Sequence, residues 1–259
     1  MRGALILCAC ALATSAFAET WPDAHNTGVP PGVILKPSGD LTITEAGAMI
    51  SGLDIRGAVT VKANNVTLVN CRITAATFSV VKILEGVTGT TVKSSEIDGV
   101  GDDNEGSNGI DGQGTFLANN IHDVENGLNI TGPSVIRDNY IHDLRASGSP
   151  HYDGIQIDGG HDVVISHNTV VNDHDQTSAV MIDNYFKPIS NISVEGNRLL
   201  GGGYAIYSDG QFNGGPISGV SIIGNRLGKG KWGYAVVRGN SPVWRGNVDD
   251  ASGQALGAD

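Results

Sequence analysis

One short pattern, an asparagine followed by any residue and then an aliphatic one, recurs along most of this chain and limits what it can fold into. It reads NNI at Asn119, NYI at Asn139, NTV at Asn168, and NRL at both Asn197 and Asn225. Ser95 (SEI) and Cys71 (CRI) hold the same place upstream, and Asn247 closes the series. The intervals are 24, 24, 20, 29, 29, 28 and 22 residues. Before each pattern stands a short alternating segment: VTLVN, TTVKS, TFLAN, SVIRD, VVISH, ISVEG and VSIIG. A second alternating segment lies inside each of the later repeats, as in NGIDGQG, NGLNITG, DGIQIDG, SAVMIDN, YAIYSDG and YAVVRGN. Period-two alternation between glycine-rich turns predicts strands, and no segment has a helical period.

Repeats of 20 to 29 residues with several short strands predict an all-β fold, a single-stranded right-handed parallel β-helix (solenoid) of about eight coils. Propeller blades need about 40 residues or more, so the spacing argues against them. Stacked asparagines share side-chain hydrogen bonds from coil to coil. Cys71 is then a ladder residue rather than a reactive thiol.

The repeats resemble those of the pectin-lyase-like, right-handed parallel β-helix superfamily. The N-terminal WPDAHNTGVPPGVILKPSG and the later HYDGIQ are similar to stretches of secreted bacterial β-helix proteins. The resemblance covers nearly the whole mature chain and implies a secreted, polysaccharide-active protein. The superfamily includes lyases, hydrolases, epimerases and non-catalytic adhesins, so fold alone does not choose among them.

Coil stacking turns the aligned second segments into columns about 4.8 Å apart. Gly109, Gly127, Gly154, Ala179, Ala205 and Ala235 form an outward column of small residues, read as a shallow trough. The next holds Asp111, Asn129, Gln156, Met181, Tyr207 and Val237. The third holds Gln113, Thr131, Asp158, Asp183, Asp209 and Gly239. Three stacked aspartates repel one another, which predicts a raised pKa or a bound cation. The loops before two strands are expected to bring Arg145, His151, Tyr152, Asp153, Asp173, His174 and Asp175 to the same side. Tyr185, Tyr204, Tyr207 and Tyr234 are expected to offer ring faces to sugars. IHD occurs at 121–123 and 141–143, stacking His122 on His142 and Asp123 on Asp143. Two histidines and two carboxylates suit a transition metal, but repetition alone produces such stacking, which is the preferred reading.

The chain ends add context. MRGALILCACALATSAFA has the arginine, short apolar run and A-x-A site of a cleavable signal peptide over 1–18. The mature protein is therefore expected to be secreted or periplasmic. The remaining organisation is a cap segment over 19–50, the β-helix over 51–250 and a tail over 251–259. Removing Arg2 with the leader takes the formal charge from −11 to −12 and leaves Cys71 without a disulfide partner. That acidity speaks against nucleic acid and anionic membrane partners. A polysaccharide substrate and a monomeric state are expected.

Two chemistries suit the columns. In the first, calcium bridges a uronate carboxylate to Asp158, Asp183 or Asp209, and His151, His174 or Lys187 removes the adjacent proton in a β-elimination. Returning the proton to the other face makes a uronate epimerase instead. In the second, paired aspartates hydrolyse the glycosidic bond directly. The first is the leading expectation. A non-catalytic glycan-binding β-helix is the third. Asp153 joins the catalytic candidates in either scheme, with Gln156, Tyr152, Tyr185, Tyr207, Asp175 and Arg145 as substrate contacts.

Overall fold

A computed structural model describes residues 20–257. The chain winds as a right-handed parallel β-helix, each coil contributing one short strand to each of three parallel sheets. The first sheet has ten strands; the second and third have nine each. Eight coils run from Leu53–Arg56 to Val243–Arg245, as the repeat count predicts. One more precedes them: Lys36–Ser38, Leu41–Ile43 and Met49–Ser51 already pair in the three sheets. The segment expected as a cap is therefore half coil. Residues 20–35 precede the first strand and run across the coils, with the Gly28 N–H donating to Ala118 O at 2.9 Å and Trp21 stacked on His167. At the other end the tail closes the last coil, where Trp244 Nε1 donates to Leu256 O at 2.8 Å.

Parallel stacking places each inward residue on its equivalent. Ile55, Ile73, Ile97, Ile121, Ile141, Val170, Leu199 and Leu227 stand in register along the first sheet, all fully buried. Each such side chain contributes roughly 1.5–3 kcal/mol on leaving water.

The asparagine pattern forms the turn from the third sheet into the first. Nδ2 of Asn119, Asn139, Asn168, Asn197 and Asn225 each donates to the next coil's Oδ1 at 2.9–3.0 Å. The same amides also reach backward to carbonyls such as Ile136 O and Ile165 O, at 2.9 Å. Cys71 and Ser95 continue the ladder, with the Cys71 N–H donating to Ser95 Oγ at 3.1 Å. Just before every ladder residue the backbone turns left-handed, with φ from 47° at Ser94 to 68° at Gly246. This corner is tight enough to hold Ala118 and His167 at 52° and 51°, a conformation costing roughly 1–2 kcal/mol without glycine. The buried amide network offsets that cost.

Candidate active site

The second sheet carries the site. Along its outer face the central column runs Thr42, Thr60, Lys82, Asp111, Asn129, Gln156, Met181, Tyr207 and Val236. Asp111 is buried but satisfied, accepting from Lys82 Nζ, from Ser79 Oγ at 3.1 Å and from Asn129 Nδ2 at 3.3 Å.

Asp183 and Asp209 pair in register at the ends of their strands, and Asp158 stands one coil earlier, directly after Ile157, which pairs with Ile182. The residue after Asp209 in that column is Arg238, not Gly239. The last coil is shifted by one residue relative to the repeat alignment, so Val236, not Val237, follows Tyr207. The reason is parity. The expected register would turn the Arg238 guanidinium toward the interior beside Ser208, whereas the shift sets it against the buried Asp209 carboxylate.

The three carboxyls differ in their surroundings. Asp209 is held by Arg238 and by the Gln211 N–H at 3.1 Å. Asp183 is only 7 % exposed and accepts one N–H, from Tyr185 at 2.9 Å. Burial and the neighbouring Asp158 charge push its pKa up to about 7, against the Tyr185 N–H. Asp158 accepts from Gln156 Nε2 at 2.9 Å through Oδ2, while its other oxygen, Oδ1, is buried with no hydrogen-bond partner. Burial raises its pKa as well, opposed by Gln156.

Asp158 opens into a cleft of about 540 Å³ that crosses the outer face of the sheet. Gln156 and Asn129 form its floor, Glu125 stands at the far edge, and Phe78, Phe186 and Lys187 form its walls. Gly159 makes the near wall possible. A Cβ there would sit 2.7 Å from Lys187 Cβ and 2.8 Å from its backbone nitrogen, so only glycine lets the next coil close over Asp158. Phe78 and Phe186 are 67 % and 68 % exposed. Tyr185 packs edge-on against Phe186 and Phe212 beside them.

Several expected site residues lie elsewhere. Asp153 shares the inward parity of Ile155, and its carboxyl is buried against the Ser178 N–H and Oγ at 3.1 and 2.9 Å. Burial holds that carboxyl well above the ordinary range, and it serves a ladder with Asn126 and Asn108. His151, Tyr152, His174, Asp175 and Arg145 belong to turns entering the second sheet, whereas Asp158 leaves it. Five residues of strand separate the two edges, about 16 Å. Tyr152 is buried, stacked at 3.5 Å on His174, and donates to Ala146 O. The His174 ring is fixed by the 2.6 Å contact of Nε2 with Leu144 O. Asp175 meets Lys231 at 3.4 Å, and Arg145 is paired with Asp123. His151 is exposed, its N–H donating to Glu125 Oε1 at 2.8 Å. Tyr234, displaced by the register shift, donates to Asp249 Oδ2.

The small-residue column is not a surface trough. A Cβ on Gly127 would meet Ile141 Cγ2 at 2.4 Å, and one on Gly154 would meet Val170 Cγ1 at 2.1 Å. These positions are small because the strand bends there onto the side chains of the first sheet. Lys187, Gln156 and Tyr185, in contrast, do gather near the aspartates. The sequence reading passed over Phe78, Phe186, Glu125 and Arg238. Two exposed phenylalanines directly beside alternating strands, in TFSV and NYFK, were the available signal.

The stacked histidines form a separate network on the first sheet. The His122 and His142 rings lie 5.3 Å apart. Burial opposes a charge on His122, but Glu96 and Asp123 override it and raise its pKa to about 9. Glu96 drops to about 2 through His122 and Arg72, against the effect of burial. Among the described residues, only Asp98, His122 and Asp123 bring three ligand-type atoms within 4.8 Å of one another. Charged His122 and Arg145 already neutralise that group.

No family model matches this chain, and no curated protein matches it. Among solved structures it is similar to the crystal structure of the Agl-KA catalytic domain, with a TM-score of 0.53 and 13 % identity, covering 73 % of this chain and 46 % of that one. The chain thus spans less than half the length of that structure, and the likeness is one of fold. Among the described residues no helix is long and apolar enough to cross a membrane.

Proposed function

We propose that this protein is an exported, monomeric carbohydrate-active enzyme that hydrolyses glycosidic bonds, with Asp158 and Asp183 as the reacting carboxyl pair. The observation that carries the reading is the Asp183 carboxyl raised to about 7 next to the cleft-lining Asp158. Two like charges on adjacent strands titrate as a unit, and near neutral pH the pair keeps one proton. The protonated carboxyl gives that proton to the leaving glycosidic oxygen as the bond to the anomeric carbon breaks. The ionised partner attacks that carbon, and water, deprotonated by the first group, then releases the sugar. Adjacent strands stand about 4.8 Å apart, close to the roughly 5–5.5 Å of a retaining pair. Phe78 and Phe186 are the ring faces that flank the sugar. The catalytic domain of Agl-KA shares the fold and adds only that a β-helix of this kind carries catalysis in another protein.

Calcium suits these donors poorly. Arg238 already holds Asp209, and Asp183 would have to give up its proton. A second reading, β-elimination on a uronate, is supported by Lys187, which lines the cleft beside Asp158 and would serve as the base. One experiment separates the readings: the mature protein on neutral and acidic polysaccharides, with calcium and with chelator, following reducing ends and unsaturated uronyl absorbance together. Hydrolysis gives reducing ends alone, insensitive to chelator and lost in Asp158→Asn and Asp183→Asn. Absorbance rising with the reducing ends refutes hydrolysis, and loss of activity in chelator restores the metal. Silence on every polymer leaves a glycan-binding β-helix.

A further inference from the structure

The run Gly201-Gly202-Gly203 and the later GKGKWG over 228–233 are used neither by the ladder nor by the aspartate column. The structure brings the two together. Gly201 and Gly202 take φ of 83° and 77°. The second turn is clamped onto them by Lys231 N to Gly202 O at 2.9 Å and Trp232 N to Gly203 O at 2.8 Å. A Cβ on Gly203 would lie 2.3, 2.5 and 3.2 Å from three carbons of the Trp232 six-membered ring. Three consecutive carbons that close mean that the benzo rim of the indole is seated on the glycine, and only a missing side chain allows it. The indole nevertheless remains 54 % exposed. Tyr204 flanks it at 5.8 Å and meets Tyr207 edge-on at 5.4 Å. Lys231 stands 5.9 Å from the ring and is tied to Asp175 at 3.4 Å.

We infer that Trp232, seated on Gly203 and flanked by Tyr204, is a second glycan subsite that stacks on the C–H face of an uncharged pyranose unit. An indole held at its rim by the backbone and by Tyr204 loses little conformational freedom on binding, and its exposed apolar surface is what a sugar ring covers. The subsite lies on the same face as the cleft. Tyr207 stands two strands beyond Gln156 in one column, about 10 Å, and Trp232 one coil further at the entering edge, so a polysaccharide chain of several units spans both. An uncharged ligand is favoured because a protein of formal charge −11 repels acidic polymers. The inference rests on the glycan reading of the cleft and not on which chemistry breaks the bond.

The test is native gel electrophoresis of the mature protein through gels containing soluble β-glucan, xylan or dextran, and in parallel polygalacturonate or alginate. At least one neutral polymer retards the wild type. Trp232→Ala weakens that retardation by on the order of tenfold. Gly203→Val, which keeps the indole but pushes it off its seat, weakens it too. Retardation unchanged in both variants, retardation by acidic polymers alone, or none by any polymer overturns the subsite. Retardation abolished by Trp232→Ala in a protein that hydrolyses nothing leaves the subsite standing and overturns only the proposed chemistry.

Discussion

Asp183 allows the proton at the site to be tested without knowing the substrate. In the unfolded chain its carboxyl titrates near the ordinary 3.8, and in the folded protein it does so at about 7. Because the folded value is the higher one, folding favours the protonated form. The stability this provides is complete below pH 3.8 and is lost as pH rises through 7. At about 1.4 kcal/mol per pH unit, the wild type gives up about 4 kcal/mol across that window on account of this one group. Asp183→Asn keeps the shape and cannot ionise, so the variant does not suffer the loss. Urea unfolding of both proteins between pH 4 and 8 should show the variant gaining on the wild type by about 4 kcal/mol, most of it complete by pH 8. Groups not coupled to Asp183 cancel in the difference. Asp158 is the second cause of the shift, so in an Asp158→Asn background the same comparison should move to lower pH and shrink. A variant-minus-wild-type difference that stays flat within about 1 kcal/mol would mean Asp183 is ionised throughout, and the proton assigned to the pair would not be there.

Asn168→Ala removes donors to Ile136 O, Ser166 O and Asn197 Oδ1 and strands the Asn139 N–H, while Asn139 Nδ2 keeps Phe116 O and Arg137 O. With unsatisfied buried groups costing roughly 1–3 kcal/mol each, the urea midpoint should fall by the equivalent of about 3–5 kcal/mol, and a loss below 1 kcal/mol would remove the ladder from the fold's support. Arg238→Ala leaves the Asp209 carboxylate buried without its cation. It should destabilise by about 1–3 kcal/mol, less than a fully buried pair because the arginine is partly exposed, and adding Asp209→Asn should recover most of the loss. The His122–Glu96 pair has opposite limits. The histidine's contribution is whole below pH 6.5 and disappears as pH rises through about 9, while the glutamate's is whole above pH 4.5 and disappears as pH falls through about 2. Denaturation at pH 3, 6 and 10 should therefore find Glu96→Gln most costly at pH 6, and equal cost at all three would refute the pairing.

Most of the fold was legible because a solenoid writes its structure into its repeat. Each coil repeats the same local conditions, so aligning Asn119, Asn139, Asn168, Asn197 and Asn225 is already a statement about which atoms touch. The same logic stacked Asp158 on Asp183 and Asp209 correctly. It failed where one coil departed from the others: Arg238 took the place assigned to Gly239, a shift that a single alignment does not register. It failed again at the loops. Alignment gives a residue's place along a coil but not the edge of the sheet from which its loop approaches, so His174 and Arg145 were set beside carboxyls about 16 Å away.

The sequence by itself determined the parallel stacking, the buried amide ladder and the succession of three aspartates, because each follows from period and parity within a repeat. Only the tertiary structure decided what each of those aspartates is paired with. Asp209 has Arg238 from the next coil, Asp158 has a single amide and an oxygen without a partner, and Asp183 has one N–H and a like-charged neighbour. A carboxyl's pKa depends on what surrounds it in space, and those surroundings come from turns whose course no repeat specifies.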